Sequence, residues 1–225
     1  MARRRAILWG LLGLATALAG PVQGRAAGAA CPTADDLTTG ILLSYTWPDR
    51  GGQLDLIAAR RLAPGAVMMR REASFLPETI VTVAHGGFVT VARGGERARP
   101  AWRIDYGSAG PGPERPEIGE SDEVRGTRYD NQGEPLPLIT HVTAAAGPGV
   151  RFGDCAYDTV RLTITHLLVV DGEAMQLVER ALFAPDLGLA VRPPAPENVA
   201  REATIRAAGP GEVALSGWPA DWTGR

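Results

Sequence analysis

Between residues 158 and 170 the chain reads DTVRLTITHLLVV, with Val160, Leu162, Ile164, His166 and Leu168 on one side and Thr159, Arg161, Thr163 and Thr165 on the other. A period of two is what a pleated strand imposes, because successive side chains leave opposite faces; a helix would scatter the same set around its circumference. Asp171-Gly172 follows, a pair suited to the positive φ angles of a tight strand-to-strand turn, and EAMQLVERALFA returns after it. The pattern therefore predicts a long antiparallel ribbon over 158–183.

Shorter segments repeat that grammar. In GILLSYTW, Ile41, Leu43, Tyr45 and Trp47 share a face, Pro48 to Gly52 turns the chain, and QLDLIAARR comes back. Pro64-Gly65 punctuates before AVMMRREAS, and Gly86-Gly87 reads as a two-residue loop between TIVTVAH and FVTVAR. Gly94-Gly95 reads as the same device before ERARPAWRIDY, and PLITHVTAA resumes after Pro135 and Pro137. Ahead of the first strand, Thr33 with Asp36 matches a capping arrangement for a short helical turn that Gly40 ends. Regularly spaced short strands with glycine turns predict an all-β meander. Residues 107–122, GSAGPGPERPEIGESD, lack the apolar content to pack and read as a mobile surface loop, with 122–125 as a polar edge strand. Past Pro193-Pro194-Ala195-Pro196, residues 198–208 suit either a helix ended by Gly209 or short strands, and we favour strands. Trp218 and Trp222 in the tail are expected to fold back onto apolar surface.

The first thirty residues have the layout of an export signal: Arg3, Arg4 and Arg5, an apolar run from Ala6 to Ala19, then small residues. Arg4-Arg5-Ala6-Ile7-Leu8 fits the twin-arginine route as well as the general secretory one. The apolar run falls short of the ~20 residues that span a bilayer as a helix, and no later run is longer, so no membrane-spanning segment is expected in the mature chain. Cys31 lies well beyond the position that a lipidation box would occupy. The expected organisation is an export signal over 1–30, an antiparallel β domain over 31–192 and a C-terminal extension over 193–225 that packs back on the domain. The localisation this implies is periplasmic or secreted. Removing four Arg with the signal leaves 19 Arg against 25 acidic residues, a surface with no electrostatic reason to bind nucleic acid. The basic residues are all Arg and none is Lys, a coding bias rather than a binding device. Cys31 and Cys155 are the only cysteines, and in an oxidising compartment an isolated pair reads as a disulfide, with two buried free thiols as the alternative.

FGDCAYDTVRLTITH followed by ERALFAPDLGLAVR resembles a pattern found in uncharacterised exported bacterial proteins. In these, Gly-x-Cys opens a long strand and a hairpin leads into an aromatic-Ala-Pro-x-Leu-Gly-Leu segment. The matching positions are Gly153, Cys155, Phe183, Ala184, Pro185, Leu187, Gly188, Leu189 and Val191, within about a fifth of the chain. Those proteins look like curved antiparallel sheets akin to the half-barrels of periplasmic lipoprotein carriers. The resemblance implies a curved antiparallel sheet or half-barrel, of about 8 to 11 strands on the count of strand signals, with the short N-terminal helical turn. Pro185 and Gly188 would bracket a corner, with Leu187 and Leu189 pointing into the concavity.

Candidates for chemistry are few. His85, His141 and His166 have no local metal-ligand spacing, and a histidine on an apolar strand face is better read as a core residue hydrogen-bonded to a carbonyl. HGGF at 85–88 has the look of an esterase oxyanion loop, yet no Gly-x-Ser-x-Gly elbow accompanies it. The acidic pairs Asp35-Asp36, Asp122-Glu123 and Glu117/Glu120 read as a helix start and solvated loop charge. No catalytic residue, cofactor or metal is assigned. The leading expectation is a non-enzymatic exported protein whose concave face, lined by Val160, Leu162, Ile164, Leu187 and Leu189, packs its own core or shelters a hydrophobic ligand such as a lipid. An envelope adaptor that binds another protein through an edge strand or loop is the second reading. A hydrolase with a dispersed site is the third.

Overall fold

A computed structural model describes residues 30–47, 51–95, 100–107, 110, 112, 116–170, 172–191 and 202–213. The export signal but for its last residue, Pro193 to Pro196, and Trp218 and Trp222 lie outside the described residues.

Over the described residues the chain is all-β, with one 3-10 turn at Ala34–Thr38. The strands are β1 Ile41–Trp47, β2 Gln53–Ala63, β3 Ala66–Ala73, β4 Ile80–His85, β5 Val89–Gly95, β6 Trp102–Asp105 and β7 Ser121–Asp130. They continue as β8 Pro135–Ala146, β9 Val150–Phe152, β10 Cys155–Tyr157, β11 Val160–Val170, β12 Glu173–Ala184, β13 Leu189–Val191 and β14 Glu202–Ala207. Twelve of them form one antiparallel sheet in the order β13-β12-β11-β8-β7-β6-β5-β4-β3-β2-β1-β14, and β9 with β10 makes a separate hairpin. The strand count exceeds the expected 8 to 11 because β9, β10 and β13 have three residues each, too few to display a period.

The register follows the alternation. Val160 faces Phe183 across β11 and β12, and the ladder runs on to Val170 opposite Glu173. On the other side of β11, Leu162, Ile164 and Leu168 stand opposite Ala144, Val142 and Leu138 of β8, all six buried. Residues 202–207 are strand, paired with β1 from Ile41↔Ala207 to Thr46↔Glu202. One expectation is met and one is corrected. Residues 122–125 belong to β7 and pair with β8 alone, because β6 reaches no further along β7 than Thr127, so they form a local edge although β7 as a whole lies between β6 and β8. Gly94 and Gly95 do not turn the chain: they stay in β5, paired with Val81 and Ile80, and a Cβ on Gly95 would stand 2.8 Å from Glu78 Oε2.

The sheet does not close into a barrel, but its two ends meet in one core. Leu37, Ile41, Leu43, Tyr45, Ala59 and Val67 from the first third pack with Leu182, Leu187, Leu189 and Val191 from the β12–β13 end. Phe152, Cys155 and Tyr157 of the β9–β10 hairpin complete this cluster, and the hairpin's Gly153 donates its N–H to the Ala203 carbonyl of β14 at 2.8 Å. A second cluster fills the middle of the inner face: Val83, Val89, Ile104, Tyr106, Val142, Leu162, Ile164 and Phe183. The loop from Gly86 to Phe88 joins the two regions. Phe88 inserts its ring 5.1 Å from that of Phe183, edge to face, and Ala190 donates its N–H to the Gly87 carbonyl at 2.8 Å.

Candidate functional site

The five residues expected to face a ligand are all interior. Val160 is 7% exposed and Leu162, Ile164, Leu187 and Leu189 are at 0–1%. They divide between the two clusters, the first three in the central one and the two leucines in the terminal one. The corner between Ala184 and Leu189 is as tight as Pro185 and Gly188 suggest: Leu187 N–H bonds the Ala184 carbonyl at 3.0 Å, Gly188 N–H bonds the Pro185 carbonyl at 3.1 Å, and Gly188 takes φ +62°.

Cys31 and Cys155 form a disulfide with their Cα atoms 5.5 Å apart. It ties the segment before the 3-10 turn to β10. Tyr157 donates its hydroxyl to the Pro32 carbonyl at 3.0 Å beside it, and Ala34 donates its N–H to Asp186 at 2.7 Å. The Thr33 and Asp36 capping box is formed.

The three histidines lie apart in role. His85 ends β4 at the Gly86 loop. His141 sits on the outer face of β8, its Nε2 3.5 Å from Glu123 Oε2. His166 is buried on the opposite face, but its partner is a side chain rather than the backbone carbonyl anticipated for it. Thr140 Oγ1 stands 2.9 Å from His166 Nδ1 and 2.9 Å from the Tyr106 hydroxyl, linking β6, β8 and β11. The gap that admits Tyr106 is made by Gly126 of β7, where a Cβ would lie 2.8 Å from the tyrosine ring. Burial pushes the Tyr106 phenol up to about 12, with Thr140 opposing and Glu179 adding to the rise. Burial holds His166 down at about 4, assisted by the Arg128 charge. Burial likewise raises the Glu179 carboxyl above its ordinary range, against the pull of Arg93. His166 Nε2 is buried with no hydrogen-bond partner among the described residues. A histidine protonated only near pH 4 is a weak general base at neutrality, so this relay reads as a polar joint within the core. Tyr106, Thr140 and Glu179 carried no signal in the sequence; Gly126 within a polar stretch was the one available hint of a ring crossing a strand.

The feature that faces outward is the far half of the β11–β12 hairpin. β13 covers β12 only at Leu182, Phe183 and Ala184, so from Glu173 to Ala181 the outer edge of β12 has no strand beside it among the described residues. Along the same stretch the ribbon is apolar on both faces. Met175 and Leu177, aligned with Leu168 and His166, are 46% and 40% exposed. Val178, Val169 and Leu167 on the reverse face are exposed as well. On the Met175 side the order along the edge is Glu173, Met175, Leu177, Glu179: two apolar side chains between two carboxylates.

No family model matches the chain, and no curated protein matches it. Among solved structures, the hypothetical lipoprotein YmcC from Escherichia coli K12 is similar at a TM-score of 0.43 and 8% identity, over 79% of this chain and 90% of that one. No helix among the described residues is long and apolar enough to cross a membrane.

Proposed function

We propose that this chain is an exported docking protein of the cell envelope, which receives an extended segment of a second protein along the free edge of β12. The observation that carries the reading is that, among the described residues, no strand pairs with the outer edge of β12 from Glu173 to Ala181, with Met175, Leu177 and Val178 exposed beside it. A strand edge offers a row of free N–H and C=O groups, and natural proteins blunt such edges unless they are used. Apolar side chains at alternate positions then select the incoming segment. The basic, apolar and small-residue layout of the N-terminus and the disulfide support export. The inner face is occupied by its own side chains, which favours docking over shelter of a lipid on that face.

The edge favours a partner strand with two alternate apolar residues flanked by basic ones. A second copy of this chain fits less well. Antiparallel self-pairing centred on Gln176 sets Glu173 against Glu179, and centring on Leu177 sets Met175 against Glu179. A membrane surface fits less well again, because no Lys or Arg lies between residues 166 and 179 to meet anionic lipid. The test is titration of a labelled peptide Arg-Thr-Leu-Thr-Val-Thr-Arg by fluorescence anisotropy. Saturable binding is expected, weakened about ten-fold or more in the Met175→Lys/Leu177→Lys double variant. Equal binding of a Glu-flanked peptide, or no effect of the double variant, would defeat the proposal, and a concentration-dependent dimer in place of peptide binding would assign the edge to a second copy.

A further inference from the structure

Where β2 turns into β3, the sheet carries a cleft of about 700 Å³ bounded by the 3-10 turn and the Ala184–Leu189 corner. This lies within the ~300–1,000 Å³ usual for small-molecule sites. Leu37, Val67 and Phe183, each no more than 5% exposed, form its floor, and Leu62 stands at its side. Arg60 and Arg61 stand at the rim, and no acidic residue among the described residues lines the cleft, in a chain with more acids than bases.

Two consecutive strand residues ordinarily point to opposite faces. Here both line one cleft, Arg60 reaching across to the Thr38 carbonyl and Arg61 to that of Ala34, just before the β2–β3 register shifts between Arg61 and Ala63. Arg60 donates to the Thr38 carbonyl at 3.3 Å and to the Val213 carbonyl at 3.0 Å; Arg61 donates to the Ala34 carbonyl at 3.0 Å. These contacts fix the guanidinium groups without neutralising them, and neither meets a carboxylate among the described residues. A guanidinium has five N–H donors, so most of Arg61's capacity remains available for an anion.

We infer that this cleft binds an amphiphile with a single anionic head, a carboxylate or phosphate held by Arg61 and Arg60, and one apolar chain laid over Leu62, Pro64 and Pro185, the accessible apolar residues of its lining. The site is separate from the β12 edge and uses none of the residues Val160, Leu162, Ile164, Leu187 or Leu189. The head gains charge-assisted hydrogen bonds at a rim without competing acids, and the chain covers surface that is already preformed.

The test is calorimetric titration of the delipidated protein with dodecanoate, dodecyl phosphate, dodecanol and dodecyltrimethylammonium, each below its micelle threshold. The two anions are expected to saturate at one per chain and to bind about ten-fold or more tighter than the alcohol or the cation, since only they meet the guanidinium groups. Which anion binds tighter identifies the head. Arg61→Gln is expected to weaken anion binding about five-fold or more, with Arg61→Lys recovering part of the loss. Because Arg61 also holds the 3-10 turn, Leu62→Trp provides a second variant that fills the cleft from the β2 side and should abolish binding of every amphiphile while thermal unfolding is unchanged. Affinity independent of head charge, no saturation with the wild-type chain, or anion binding unmoved by both Arg61→Gln and Leu62→Trp would overturn the inference.

Discussion

Replacing both cysteines by alanine removes the covalent link between Cys31 and Cys155 while leaving the strands' own contacts in place. The bond closes a segment spanning 124 positions. For a loop of that length the chain-entropy model places the stabilisation at about 5 kcal/mol near 25 °C, chiefly by restricting the unfolded ensemble. That is a large share of the ~5–15 kcal/mol typical of a whole domain. The alanine at 155 adds a small packing loss, because Cys155 is 8% exposed and belongs to the terminal cluster. Urea unfolding followed by tryptophan fluorescence, on the oxidised wild type and the double variant, is the assay. The midpoint should fall by the equivalent of about 4–5 kcal/mol, and the slope should rise because an unlinked denatured chain exposes more surface. A loss below ~1 kcal/mol would show that the native contacts around Pro32, Tyr157 and Asp186 hold the leading segment without help, and that the entropic reasoning is misapplied here.

Three further outcomes are expected. Burial holds His166 at about 4 in the folded chain against the 6.5 of a free imidazole; a depressed histidine makes the folded state the poorer proton acceptor, so stability present above about pH 6.5 is lost as the pH falls toward 4, by up to about 3 kcal/mol. Denaturant midpoints at pH 7, 5 and 4 for wild type and His166→Gln should converge as the pH falls, and parallel curves would refute the assignment. Asp55 is fully buried and receives Arg71 Nε at 2.8 Å and its terminal nitrogen at 2.9 Å, so Arg71→Met, which removes both guanidinium bonds from a buried carboxylate, should destabilise by about 3–5 kcal/mol in the same unfolding assay. Gly87 takes φ +77°, and a Cβ there would stand 2.1 Å from the Gly188 carbonyl oxygen; Gly87→Ala should cost at least about 2 kcal/mol and lower Tm, whereas the same change at Gly172, where nothing stands within 4 Å of the added carbon, should cost only the left-handed backbone term of ~1–2 kcal/mol.

Legibility in the sequence tracked how much of each strand is buried on one face. β11 was plain because Val160, Leu162, Ile164 and Leu168 are core and alternate with Thr and Arg. β7 was obscure because SDEVRGTRYD has one aliphatic residue, Val124, and its place inside the sheet rests on Gly126 yielding room to Tyr106. Gly94-Gly95 misled for a related reason: a glycine pair suits a turn, yet it is equally compatible with a strand, and here both residues pair within β5 while the Glu78 carboxylate lies beside Gly95. The disulfide partners followed from there being two cysteines and no more. The edge of β12 could not be read at all, since whether a strand has one neighbour or two depends on how far β13 runs beside it, and a three-residue strand displays no period.

Because Ile41 and Val67 share an interior with Leu182 and Val191, and β1 is flanked by β14, the polypeptide's beginning cannot reach its final surroundings until nearly the whole length is free to fold. Such dependence between remote stretches makes acquisition of the native state slow and late, and leaves a sizeable aliphatic surface uncovered meanwhile. A chaperone holding the unfolded chain would relieve that hazard. Shortening the chain to end before residue 202 would remove β14, leave β1 paired with β2 alone and expose its other edge, and should give a product that aggregates.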